Sequence, residues 1–336
     1  MHRPQPLPRP HLTLQRALTA ALTLTLPALA VAAEPPDREP PPAGLTVAPC
    51  GGKSVSMQCI PGGWFTRGHD KAWKKDARPA ARVWQGTFFM DTFEVTSGDY
   101  RDCWRAKGCK HAKPLYGDFS RSKQPMVGMS WFDAVDYCRW RGKHLPTEAE
   151  WEKAARGPDG ATHPWGDQAA TCERAVIMNK AGKRSCGTAK RGTHTEVGRT
   201  YVVGTRPVGR YGLYDMAGNA WEWVADWYSQ SWTACGAACS KPNPLGPCDG
   251  AAKCKGHRMK LVKGGSWYWP ATYATSYYRR AHPPANQPIS HFGFRCAASP
   301  AEAAKIRAGQ TPAALRPPPP EKVRQKKTTR RARAHP

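Results

Sequence analysis

The sequence predicts an α+β domain with little regular secondary structure, held together by disulfides. Three observations carry this expectation. Helix-start signatures are few, short apolar runs alternate with Gly- and Pro-rich turns, and twelve cysteines lie downstream of an export signal. With 336 residues the chain can bury a full core, as one large domain or two small ones. It contains no internal repeat.

In chain order, residues 1–33 read as a signal peptide. His2, Arg3, Arg9 and Arg16 surround the start of an apolar run from Ala17 to Ala32, and Ala30-Val31-Ala32 supplies the small residues of a cleavage site. The run is too short to span a bilayer and no other segment is apolar enough, so no transmembrane anchor is expected. No cysteine stands at the cleavage point and no Arg pair precedes it, which points to ordinary secretion, periplasmic or extracellular. Residues 34–49 form a Pro-rich linker, and residues 50–298 the domain. Residues 299–336 are expected to be a disordered Pro-rich basic tail, whose last stretch, "EKVRQKKTTRRARAHP", is too charged to form a core.

Within the domain, "EVTSGDYRDCWRAKG" reads as a helix capped by Thr96, with Asp99 three residues on and Gly108 to stop it. "SWFDAVDYCRWRG" repeats the pattern with Ser130, Asp133 and Gly142, and "PTEAEWEKAARG" with Thr147, Glu150 and Gly157. Each carries an apolar side: Tyr100 and Trp104, Val135 and Cys138, Trp151 with Ala154 and Ala155. Strand-like runs include "RVWQGTFFMDTFEV" and "RMKLVKGGSWYW".

An oxidising compartment makes disulfides the expected use of the cysteines. Local pairs are Cys50 with Cys59, Cys103 with Cys109 and Cys172 with Cys186, while the pairing of Cys235, Cys239, Cys248 and Cys254 stays open. Zinc is not expected, since there is no C-x-x-C and no histidine at ligand spacing beside a cysteine. The formal charge of +26 makes a polyanion such as lipopolysaccharide or an acidic glycan a candidate partner through the tail, with a merely solubilising role as the alternative. A monomer is expected.

The ordered blocks "CIPGGWFTRG", "MDTFEVTSGDY", "PMVGMSWFDAVDYCRWRGKHLPTEAEWEKAARG", "HPWGD", "PVGRYGLYDMAGNAWEWVADWY", "LVKGGSW" and "FGFRCAA" resemble the formylglycine-generating enzyme, or sulfatase-modifying factor, family. The resemblance runs from about Cys59 to Ala298 and implies a fold related to C-type lectins. It implies an oxygen-dependent oxidoreductase that binds copper(I) through two cysteines a few residues past "GGS". Those positions are Trp269 and Ala274 here, and no cysteine lies between Cys254 and Cys296. Neither side chain offers copper a soft donor, so copper is not expected. Iron is not expected either, because the eleven histidines are scattered and none stand three or four apart on a helix. No catalytic triad is recognisable, and catalytic residues are therefore unassigned.

Other family features carry over. The resemblance implies a structural calcium held by Asp215, the carbonyls of Gly218 and Ala220, and Glu222. A simple ion pair from Glu222 to an Arg or Lys is the competing reading. The resemblance also implies a disulfide between Cys138 and Cys296. A groove is expected to keep Trp267, Tyr268, Trp269 and Tyr278 as a ligand-binding lining, with Arg279 at its edge. Tyr273, Tyr277 and Arg280 stand beside them. Aromatic faces with arginine suit a glycan or an extended peptide. The function expected is thus an exported, non-copper ligand-binding module. The alternative is an oxidoreductase of the formylglycine-generating type that acts on a protein or thiol substrate with altered metal ligands.

Overall fold

A computed structural model of the protein describes residues 39–52, 56–189, 198–285 and 289–310. The expected signal peptide and the tail beyond residue 310 lie outside the described residues.

Helix starts follow the capping rule read from the sequence. In α1 (Ser97–Arg105), the Thr96 hydroxyl accepts from the Asp99 N–H, and the Asp99 carboxylate accepts in return from the Thr96 N–H. α2 (Trp131–Trp140) and α3 (Glu148–Arg156) repeat this box with Ser130/Asp133 and Thr147/Glu150. Gly157, at φ 72°, ends α3 where a side chain would be strained.

Strands β1 (Met57–Ile60) and β4 (Phe88–Asp91) pair antiparallel, with β9 (Ala297–Ala298) on the far side of β4. β2 (Gly63–Arg67) and β3 (Ala81–Gln85) form a separate antiparallel pair. A four-stranded sheet has the order β7 (Arg280–His282), β6 (Lys260–Lys263), β5 (Trp221–Trp227), β8 (Phe292–Gly293), with the last pair parallel. A one-turn helix, α4 (Trp232–Cys235), follows β5. Of the run "RMKLVKGGSWYW", only Lys260–Lys263 is strand; the glycines break the ladder.

Trp221, Trp223, Phe292 and Phe294 pack with Cys138 and Tyr137 of α2 in one core, and Trp151, Ile60, Phe88 and Leu213 form a second. The six disulfides are Cys50–Cys59, Cys103–Cys109, Cys138–Cys296, Cys172–Cys186, Cys235–Cys239 and Cys248–Cys254. Cys138–Cys296 closes the longest loop, at a sequence separation of 158, and ties α2 to the segment before β9.

Two expectations are corrected. α3 is not amphipathic, because all nine of its residues are buried. Its charged side chains are satisfied inside: Glu148 by Arg279, Glu152 by Lys263 and Arg156, and Lys153 by the carbonyls of Gly63 and Gln85. The stretch after residue 298 is not all tail. Ser299 and Glu302 form a fourth capping box that starts α5 (Pro300–Arg307), whose Ala303 is buried with Phe89 and Met57 while Ile306 packs alongside.

Candidate ligand-binding surface

After β6 the chain turns through Gly264-Gly265-Ser266. A Cβ on Gly265 would meet the Ala274 Cα and the Tyr273 carbonyl oxygen at 3.0 Å, so this glycine lets the following loop fold back against its start. The Trp269 N–H donates to the Ser266 carbonyl, and the Trp269 carbonyl accepts from the Met178 N–H. Ala274 is fully buried among Ala175, Ile177 and Ala217, and its carbonyl accepts from His163 Nδ1 at 3.0 Å. A methyl group in a dry core thus occupies the second of the two positions where thiolates were sought.

The structure divides the expected lining residues. Trp267 is fully buried, donates from Nε1 to the Ser290 carbonyl and packs on Phe119, so it is core rather than lining. Tyr278 is buried too. Arg279 is fully buried and locked: it makes a bidentate pair with Glu148 at 2.8 and 3.0 Å and donates to the carbonyls of Asp76 and Ser229. Burial alone would weaken its charge, but Glu148 more than restores it and raises the Arg279 pKa. Neither Trp267 nor Arg279 offers a polar group to a ligand.

Tyr268 and Trp269 remain half-exposed, with ring centroids 5.4 Å apart. Tyr273 continues the strip at 4.8 Å from Trp269, and Trp73 extends it at 5.7 Å from Tyr273. Trp73 is 55% exposed, a large share for so apolar a side chain. It comes from the loop between β2 and β3, some two hundred residues away in sequence, and no local pattern marks it. The same is true of Arg184, whose guanidinium lies 3.4 Å from the Tyr268 ring centroid and donates to its hydroxyl. Arg280 lies 4.8 Å over Trp269. The surface is therefore aromatic with arginines set against the rings. His291 meets Tyr268 edge-on at 4.6 Å, and burial together with Arg280 and Arg184 pushes its pKa down to about 3, so it adds no charge.

The turn at Asp215–Glu222 is a second feature. Asp215, Gly218 and Asn219 all adopt positive φ, and a Cβ on Gly218 would collide with the Val176 carbonyl oxygen at 2.6 Å. Three buried carboxylates gather here. Asp215 accepts from the Gly204 N–H, Glu94 accepts from Asn219 Nδ2 and the Ala220 N–H, and Glu222 accepts from Arg295 and from Trp151 Nε1. The ion pair to Arg295 is the one the competing reading anticipated, yet a single guanidinium faces three acids. Burial, then the neighbouring acids, push Glu94 well above the usual carboxylate range, and burial lifts Asp215 to about 6. The excess negative charge and hard oxygens fit a calcium ion. Glu222 Oε1 accepts from Arg295 Nη2 alone and keeps a lone pair for it. Among the described residues no three acidic, histidine or cysteine side chains converge on a metal position, so the Gly218 and Ala220 carbonyls would have to complete the shell.

Residues 47–300 match the sulfatase-modifying factor enzyme 1-like domain, and the chain belongs to that family. It is 41% identical over 191 residues to the formylglycine-generating enzyme of Thermomonospora curvata, a match covering 54% of this chain and 57% of that one. The chain thus spans little more than half of that relative's length. It is 31% identical over 322 residues to the formylglycine-generating enzyme of Mus musculus, covering 80% and 81% of the two chains. The solved structure of PvdO from Pseudomonas aeruginosa superposes with a TM-score of 0.57 at 26% identity, over 72% of this chain and 93% of that one. No helix among the described residues is long and apolar enough to cross a membrane.

Proposed function

We propose that this family member is an exported module that binds a glycan or peptide on the Tyr268–Trp269–Tyr273–Trp73 surface and does not run the copper reaction. One observation carries the reading: all twelve cysteines are committed to disulfides, and no free cysteine remains. Copper(I) chemistry of the kind the resemblance implies needs thiolate ligands, and a disulfide sulfur is not one. Where the two ligands were sought stand a half-exposed indole and a buried methyl.

The test is incubation of the oxidised protein with a cysteine-containing sulfatase peptide and copper. The expected result is no mass change on the peptide. Conversion of its cysteine to an aldehyde would overturn the reading. The Trp269→Cys/Ala274→Cys variant is expected to gain copper(I) binding yet turn over poorly, because the aromatic strip does not position a peptide thiol.

The turn at Asp215–Glu222 supports a structural calcium. Asp215, Glu222 and the Gly218 and Ala220 carbonyls would hold it, and its charge would offset the buried acids. A chelator is expected to lower the melting temperature of the wild-type protein and to leave Glu222→Ala unmoved. No chelator effect on wild type would remove calcium from the account.

A further inference from the structure

We propose that the anchoring group of the ligand is a carboxylate on a saccharide, held between Arg184 and Arg280; this rests on the ligand-binding reading above and narrows it. The charge pattern carries the argument. The interior guanidiniums of Arg156, Arg279 and Arg295 each face their own carboxylate, Glu152, Glu148 and Glu222. Arg280 and Arg184 face none: among the described residues neither makes an ion pair, and Arg280 Nε is buried with no hydrogen-bond partner. The ionisable groups that act on Arg280 or feel its charge are the hydroxyls of Tyr278 and Tyr273 and the rings of His282 and His291, none of them an acid. A half-buried guanidinium without a counter-ion is costly unless an anion arrives.

The two arginines lie along one strip, on rings 5.4 Å apart. They lie against consecutive rings, Arg184 on Tyr268 and Arg280 on Trp269, and both bear on His291. Two planar forks on adjacent rings match the oxygens of a carboxylate better than two flexible ammonium groups would. From that point the strip runs outward through Tyr273 to the exposed Trp73. The negative faces of these rings suit the polarised C–H face of a pyranose, so an acidic sugar would set its charge on the arginines and its neighbouring residues on the aromatics. A peptide is the poorer fit. The strand beside the arginines, β7, is three residues long and offers too little edge for main-chain pairing.

The experiment is calorimetric titration of the full-length protein with a defined oligogalacturonide and with the same oligosaccharide after carboxyl reduction to its neutral form. An acidic peptide of equal charge is titrated in parallel. Wild type is expected to bind the uronate at least about tenfold tighter than the neutral form, and Arg280→Gln and Arg184→Gln are each expected to lose about tenfold, in line with a hydrogen bond to a charged group. Neither arginine is ion-paired, so the melting temperatures of the variants should match wild type. Equal binding of the uronate by wild type and by the double variant overturns the proposal, since the charge would then be read by the basic tail. Equal affinity for the acidic and neutral forms, lost in Trp73→Ala, overturns the carboxylate but keeps the ligand-binding reading. Arginine-dependent capture of the peptide in preference to the uronate overturns the saccharide, as does failure to bind either oligosaccharide.

Discussion

Arg279 and Arg280 are consecutive in an extended stretch, so their side chains leave the backbone in opposite directions, one toward α3 and the other onto Trp269. Burial does the rest: the inward residue must find a carboxylate, and Glu148 supplies it, while the outward one is left with rings. Removing Arg279 would leave Glu148, beside Asp226 in the core, with Lys263 at 3.4 Å as its remaining cation. Arg279→Ala is expected to cost about 3–5 kcal/mol in urea unfolding, because a buried carboxylate loses its bidentate partner. Arg279→Lys should recover only part of this, since an ammonium cannot bond both carboxylate oxygens and the carbonyls of Asp76 and Ser229 together. Arg280→Gln is expected to move stability by no more than about 0.5 kcal/mol.

Among the elements, α5 shows how a folded segment can sit inside a stretch that reads as tail. Its capping box, "SPAE", is written in the sequence as clearly as the three others, but the Pro-rich and basic residues beyond it dominate the composition. The helix is tied down by Ala303 and Ile306 on the β1–β4–β9 sheet and by Glu302, which accepts from His144 at 2.9 Å. A chain ending at residue 298 is therefore expected to be less stable than one ending at residue 310 by about 2 kcal/mol, the scale of burying one aliphatic side chain. Equal melting temperatures for the two would show that α5 merely lies on the surface. α3 makes the complementary point. Its start and stop are local signals, but its complete burial comes from β2, β3, β5 and β6 closing round it, and only that enclosure makes its five charged side chains interior ties.

For the whole molecule, the buried ionisable groups set a pH dependence whose sign can be worked out. Asp226 is lifted to about 7, by burial first and then by Glu148, so its folded value lies above its unfolded one. Such an acid favours folding while protonated, and that contribution fades as pH rises from about 4 to 7. His144 is also lifted, to about 10; burial opposes this, but Glu150 and Glu302 outweigh it. Its contribution is full below about 6.5 and is lost as pH climbs through 10. Glu302 is held at about 2 by His144 and the Ser299 N–H against the effect of burial, so its contribution is present above about 4.5 and is lost as pH falls through 2. Lys153 is lowered to about 7 and Lys260 to about 8, both by burial, so each adds stability as pH rises above those values. Asp226 and Glu302 therefore place a local maximum of the melting temperature near pH 5, with a fall from there to pH 7. A melting temperature that rises steadily from pH 5 to pH 7 would contradict the burial of Asp226.

What the sequence alone determined is what short-range chemistry can write. Capping residues and glycine stops placed three helices, and close spacing of the cysteines gave three of the pairs. The ordered blocks indicated the family, and with it the long Cys138–Cys296 bridge. The tertiary structure alone decided which side of each residue would face water. Trp267 and Trp269 are the same letter two places apart, yet one is core and the other half-exposed, because Phe119 and Ser290 approach Trp267 from remote parts of the chain. For the same reason Trp73 and Arg184 join the surface from segments far away in sequence. An ion pair or an aromatic strip is a statement about distance in space, and a one-dimensional pattern carries that only where neighbours in sequence are also neighbours in the fold.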